Sequence, residues 1–178
     1  IIETGKLKFC QLNLELKFIN DKSHAYILFT SGSTGQPKGV PISRFNLASF
    51  VKSFFELGYQ ISDNDRCLQC FDLTFDLSVM CYLVPLMKGA CVYTMPYNQI
   101  KYIYISELLE NYQLTIALMV PSTIRNLRPY LGELMLPSMR YSLFCGEALP
   151  IDLAEEWSIC VPNAEIDNVY GPTENTIF

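Results

Sequence analysis

The sequence predicts an α/β fold with a mainly parallel sheet covered by helices on both faces. Two features of the pattern predict it. From Ala25 onward, short apolar runs alternate with segments of helical period, the order of successive strand-helix-strand units. The runs are nearly continuously apolar, or rich in β-branched and aromatic residues, as strands buried on both faces are. Composition adds a third observation. Of 178 residues, 50 % are apolar and 17 % charged, which supports a real hydrophobic core and excludes a disordered chain. A free-standing domain carries about 25 % charged residues, so further chain is expected to cover part of the apolar surface.

In chain order, residues 1–24 are weakly patterned and read as an edge or connecting segment. Strands are expected at 25–30, 66–71, 91–95, 114–120, 140–145 and 165–170. After the first, Leu47, Phe50, Val51, Phe54 and Phe55 recur at the spacing of one helix face, with Ser43 as N-cap and Gly58 as stop. Further helices are expected at 76–87, 106–112, 122–131 and 151–158. No linker or repeat interrupts residues 25–178, which read as one unit.

The net charge of −5, from 13 basic and 18 acidic residues without a Lys or Arg run, argues against nucleic acid as a partner. Seven cysteines, an odd number, lie scattered through apolar segments and fit reduced thiols in a cytoplasmic protein better than a disulfide framework. Cys67 and Cys70 form a lone C-x-x-C, and the only histidine, His24, is far away, so a metal or redox site lacks further ligands. No signal peptide opens the chain, and the longest apolar run, 77–87, falls short of the roughly 18 residues of a membrane span. Starting at Ile1 and stopping at Phe178 directly after a dense motif, the chain reads as a fragment.

In open parallel sheets, ligands gather at the carboxyl ends of strands. Four loops stand there with clusters of polar residues and glycines. The first, 30–39 (TSGSTGQPKG), holds three glycines, four hydroxyl residues and one lysine, and is expected between a buried strand and a helix. Glycines admit backbone amides close to an anion, hydroxyls add donors and lysine adds charge, a set suited to polyphosphate. A mobile surface turn has the same composition. A Walker A loop is excluded, because Lys38 follows Pro37 and the glycine spacing differs.

This stretch resembles the signature loop of the adenylate-forming superfamily, which includes acyl-CoA synthetases, luciferases and peptide-synthetase adenylation domains. Three more motifs follow in that superfamily's order: 75–80 (FDLSVM), 143–150 (LFCGEALP) and 168–174 (NVYGPTE). The resemblance implies part of the large N-terminal domain of such an enzyme, with 25–178 its central portion. It implies phosphate contacts from Thr30, Ser31, Gly32, Ser33, Thr34, Gly35 and Lys38, and an adenine site lined by Gly146, Glu147, Asn168, Val169 and Tyr170. Lys38, Thr173 and Glu174 become the catalytic candidates, Thr173 on the α-phosphate and Glu174 on Mg²⁺.

Read alone, Asp76 is first of all a helix N-cap, and Glu147 is as readily a surface residue. The resemblance makes Asp76 the partner of a substrate α-amino group. It sets Leu77, Met80, Leu118, Leu143, Cys145, Val169, Ile177 and Phe178 around the substrate side chain. Asp72 has no counterpart and reads as structural. A pocket so lined rejects charge and favours a small or apolar side chain. The segments FDLSVM and LFCGEALP look closest to D-alanine carrier protein ligases, although Cys81, Tyr82 and Leu83 depart from their pattern.

The activity implied is ATP-dependent adenylation of an amino acid, with ATP and Mg²⁺ required, followed by transfer to a phosphopantetheine thiol on a carrier protein. An acyl-CoA synthetase for a small acid and a non-catalytic nucleotide-binding module are the alternatives. A C-terminal lid with its lysine has no counterpart in the sequence, so the chain by itself is expected to be inactive or nearly so.

Overall fold

The computed structural model describes residues 19–31, 35–96 and 100–178. Two strands, β1 (His24–Ser31) and β2 (Pro37–Ser43), lead into helix α1 (Arg44–Glu56). Strands then alternate with helices: β3 (Arg66–Gln69), α2 (Asp76–Met87), β4 (Cys91–Thr94), α3 (Lys101–Asn111), β5 (Ile116–Met119), α4 (Pro121–Leu127), β6 (Tyr141–Phe144), α5 (Ile151–Cys160) and β7 (Glu165–Asn168). Strands β3 to β7 form a wholly parallel sheet in the order β4-β3-β5-β6-β7.

Alternate residues of each strand feed opposite layers. In β5, Ala117 and Met119 join Leu68, Phe144 and the inner faces of α3, α4 and α5, with Trp157 fully buried at the centre. Ile116 and Leu118 join Cys67, Leu143, α1 and α2 on the other side. Two buried polar groups pair within this layer: Trp157 Nε1 donates to Ser142 Oγ at 2.8 Å. At the amino edge, Asp65 accepts hydrogen bonds from Ser62 N (2.8 Å), Thr115 Oγ1 (2.7 Å) and Arg140 (2.7 Å), tying together the starts of β3, β5 and β6.

One strand departs from expectation. Residues 25–30 do not enter the parallel sheet; β1 pairs antiparallel with β2 as a separate ribbon, Thr30 opposite Lys38. The short gap between them, positions 32–36, requires this, because an antiparallel pair closes through a tight turn and a parallel pair needs a crossover of roughly a dozen residues. Nor is β1 buried on both faces. Tyr26 and Leu28 turn inward, while Ile27 and Phe29 remain 51 % and 69 % exposed. β2 was not expected, since Pro37 and Pro41 argue against a strand; proline is tolerated at sheet edges, and Val40 and Ile42 on either side of Pro41 are buried.

Helix α1 begins as its sequence dictates. Ser43 caps it in a capping box with Asn46, and Phe50, Val51 and Phe54 are its buried face. Gly58, just past the end, takes φ +103°. Beyond it, Tyr59 stacks on Phe54 and donates to Asp167 Oδ2 at 2.6 Å, fastening this corner to β7. Helix α4 stops at Leu127 rather than 131, because Pro129 turns the chain into a 3₁₀ helix, Arg128–Glu133. Helix α3 starts at Lys101, five residues before its expected 106.

Candidate active site

The loops leaving β3, β5, β6 and β7 emerge side by side, because all four strands run the same way. Asp76, Val120, Gly146 and Glu174 therefore lie along one edge, each just past one of four neighbouring strands of the sheet. The fourth motif ends in a short 3₁₀ helix, Thr173–Asn175.

The ribbon brings the first motif to that edge from outside the sheet. Thr30 and Ser31 end β1, Gly35 turns with φ +80°, and Lys38 stands across from Thr30 on β2. Gly32, Ser33 and Thr34 lie outside the described residues. Lys38 Nζ stands 3.7 Å from Glu174 Oε1, both side chains largely exposed, so the lysine of the first motif and the carboxylate of the fourth share one spot. This corrects the expected placement of the loop between a buried strand and a helix. Its lysine belongs to a second strand and is aimed by ribbon register.

Asp76 is not an N-cap. Phe75 holds that position, and Asp76 is the first helical residue of α2, only 8 % exposed. The ion pairs among the described residues do not include it. Its field is felt nearby: Tyr26 is pushed up to about 12 by burial, then by Asp76 and Tyr82. The Tyr26 hydroxyl is buried without a hydrogen-bond partner, as is that of Ser78. Asp72 accepts from the backbone and hydroxyl of Thr74, both at 2.9 Å, a local turn that fits its structural reading.

Leu77, Met80, Leu118, Leu143, Cys145 and Ile177 are buried in one cluster, with Val169 packed against it. A void of about 10 Å³ lies against Met80 and Leu118. Burial pushes the Cys145 thiol up, against the amides of Gly146 and Gly171, which hold it down. Phe178, like Val169, packs against this cluster. Its ring meets Phe50 edge-on at 5.2 Å and packs near Phe54, because the last residues run back over α1.

Gly146 takes φ +86°, and the sequence placed it correctly at a strand end. Glu147 is not an idle surface residue: its two oxygens accept from Ser122 N at 2.9 Å and Ser122 Oγ at 2.8 Å. Asn168 closes β7, Val169 N donates to Phe144 O at 2.8 Å, and Tyr170 is 87 % exposed. Sequence reasoning missed Ser122 and Tyr26, which carry no motif. It also missed what Gly171 does: a Cβ there would sit 2.8 Å from the Phe178 carbonyl carbon, so only glycine lets the chain cross.

Beside this edge, a cleft of about 690 Å³ opens past the ends of β3 and β4, lined among others by Phe71, Asp72, Tyr82, Met95 and Lys101. Among the described residues no group of three or more His, Cys, Asp or Glu side chains could hold a metal. Glu174 alone fits Mg²⁺, an ion bound through one or two carboxylates with substrate phosphates and water. No helix of the described residues is long and apolar enough to cross a membrane.

The Vibrio cholerae adenylation domain AlmE, solved in complex with glycyl-adenosine-5'-phosphate, shares this architecture with a TM-score of 0.81 and 40 % identity, over 90 % of this chain and 30 % of that one. The D-alanine-D-alanyl carrier protein ligase of Bacillus velezensis is 37 % identical over 157 residues, 85 % of this chain. A plipastatin synthase from Bacillus subtilis is 34 % identical over 154 residues, 86 % of this chain and 6 % of that protein. The chain spans 31 % of the length of the carrier protein ligase. The family model described as AMP-binding enzyme matches residues 6–178, and its span takes in all four motif loops at the sheet edge. On that match, and on a parallel sheet held in common with adenylation domains, the chain belongs to the AMP-binding enzyme family.

Proposed function

We infer that the protein, in its full natural length, adenylates a small amino acid with ATP and hands the aminoacyl group to a phosphopantetheine thiol of a carrier protein. The observation that carries the reading is Asp76, a carboxylate in a residue 8 % exposed, with no ion-pair partner among the described residues. A buried unpaired carboxylate is destabilising by several kcal/mol unless a cation or donors meet it, and a substrate ammonium is the cation such a site suits. A fatty acid would leave Asp76 unpaired. The tight packing of Leu77, Met80, Leu118, Leu143 and Cys145 favours a small side chain, glycine or D-alanine. The named relatives support that choice, one solved with a glycyl adenylate and another a D-alanine carrier protein ligase.

In this reading the substrate carboxylate attacks the α-phosphorus of ATP. A carboxyl-oxygen-to-phosphorus bond forms, the bond to the β-phosphate oxygen breaks, and pyrophosphate leaves. Thr30, Ser31, Gly32, Ser33, Thr34, Gly35 and Lys38 hold the departing phosphates, with Thr173 on the α-phosphate. Gly146, Glu147, Asn168, Val169 and Tyr170 place adenine. Glu174 would hold Mg²⁺, which would supply charge neutralisation at the phosphates. Positioning and electrostatics carry the catalysis, since two anions must meet in line. The cleft at the ends of β3 and β4 gives a carrier's arm an approach, and the six free thiols among the described residues fit a cytoplasmic setting.

Pyrophosphate exchange across glycine, D- and L-amino acids and short fatty acids tests the reading. Exchange with glycine or D-alanine is expected; exchange with fatty acids alone would sink it.

A further inference from the structure

Glu147 belongs to the motif assigned above to adenine, yet both its oxygens are taken up by Ser122. Ser122 lies in the first turn of α4, whose own N-cap position, Val120, has no capping side chain. The first amides of a helix have no partner within it, and negative charge is favoured there. Glu147 therefore caps α4 from another strand's loop. The loops are already neighbours: Cys145 N donates to Met119 O at 3.2 Å, extending the ladder past the end of β6. A Cβ on Gly146 would stand 3.5 Å from Val120 Cγ1, so a side chain there would just meet the loop that carries Ser122.

A second tie acts at the other end of α4. Arg128, its C-cap, bonds Asp152 at 2.6 Å and both oxygens of Glu156 at 2.6 and 2.8 Å, all on α5. The segment from Glu147 into α5 is thus tied to both ends of α4. Gly146, with φ +86°, stands between Cys145, whose amide bonds Met119 O, and Glu147, whose carboxylate bonds Ser122.

We propose that Ser122 is a positioning residue for the nucleotide: through the two-pronged bond to Glu147 it sets the height and tilt of the Gly146 backbone against which the base lies. The proposal rests on the functional reading above in taking ATP as the ligand. Glu147 then works by holding the loop, with no need for its side chain to touch the base. Ser122 contributes through an amide that every residue but proline has and a hydroxyl that only Ser or Thr supplies at that point.

The test is ATP affinity, measured by calorimetry without amino acid, on the protein in its full natural length. Ser122→Ala keeps the amide bond and the fold and is expected to weaken ATP binding roughly threefold to tenfold. Ser122→Thr should bind as the parent does. Glu147→Ala should lose at least as much as Ser122→Ala, and the double variant no more than Glu147→Ala alone, because both changes remove one interaction. The KM for the amino acid should stay at the parent value throughout. Both single variants should keep the parent's preference for ATP over inosine triphosphate. Additive losses in the double variant, unchanged affinity in Ser122→Ala, a fall in melting temperature with no change in affinity, or loss of base preference in Glu147→Ala alone would each overturn the proposal. A parent that binds ATP but shows no amino-acid-dependent exchange would defeat the functional reading and leave the clamp intact; a parent that binds no ATP would defeat both.

Discussion

Lys38 Nζ and Glu174 Oε1 lie 3.7 Å apart, bridging the antiparallel ribbon and the 3₁₀ turn after β7. With both side chains about half exposed or more, the pair stabilises the fold by little, about 0.2–1 kcal/mol. Its value is that it sets a cation and an anion side by side where the polyphosphate of ATP is proposed to sit.

Lys38→Ala and Glu174→Gln are accordingly expected to leave urea midpoints almost unchanged while lowering pyrophosphate exchange by about a hundredfold or more. Matched denaturation and exchange measurements check this. A loss of stability parallel to the loss of exchange would assign the pair a structural task instead.

Asp76→Ala removes the proposed partner of the substrate ammonium. Amino-acid affinity should fall by about 2–5 kcal/mol, thirtyfold or more, as when one member of a buried charge pair is truncated. ATP binding should persist, which calorimetry with each ligand separately reads out. Melting temperature should hold or rise, since Asp76 has no ion-pair partner among the described residues to lose.

Gly171→Ala should destabilise by about 1–3 kcal/mol or more, because the new methyl meets the backbone of Phe178. Gly35→Ala has open space around it and is strained only through φ +80°, so its effect on folding should be smaller. Urea unfolding of the two variants ranks them; equal losses would contradict the crossing.

Asp65 gives the pH dependence. Burial acts to raise its pKa, but the Ser62 amide, the Thr115 hydroxyl and the Arg140 guanidinium outweigh it and hold the carboxyl below its ordinary value of 3.8. A depressed carboxylate stabilises the fold above its unfolded pKa, and that stabilisation disappears as pH falls below 3.8 through the folded value. Asp65→Asn should cost about 1.5–3 kcal/mol at neutral pH and flatten the acid limb of a stability-against-pH curve. An unchanged acid limb would refute the assignment.

The parallel sheet was legible because its inner strands are buried on both faces, and runs such as 116–119 leave little else to read; the edge strands β4 and β7 are only partly buried. The four motif loops followed from strand ends. The ribbon was not legible: His24–Ser31 looks as apolar as a buried strand, and nothing local says that Ile27 and Phe29 face outward. Its partner strand was hidden by Pro37 and Pro41. Asp65, Ser122 and Arg140 escaped because their partners lie 50, 25 and 75 positions away, and single polar residues give no periodic signal. Phe178, placed by resemblance, packs against the cluster that holds Leu77, Met80 and Cys145, with its ring also edge-on to Phe50 of α1.

No ladder hydrogen bond joins β1 and β2 to the five-stranded sheet. A nucleotide held by Lys38 on one body and Gly146 on the other would therefore act as a removable crosslink between two separately paired sheets. At about a hundred times its dissociation constant, ATP would add about 2.7 kcal/mol against any opening that parts them. Amide exchange of the ribbon in 24–43 should then slow with ATP far more than exchange at the centre of β5.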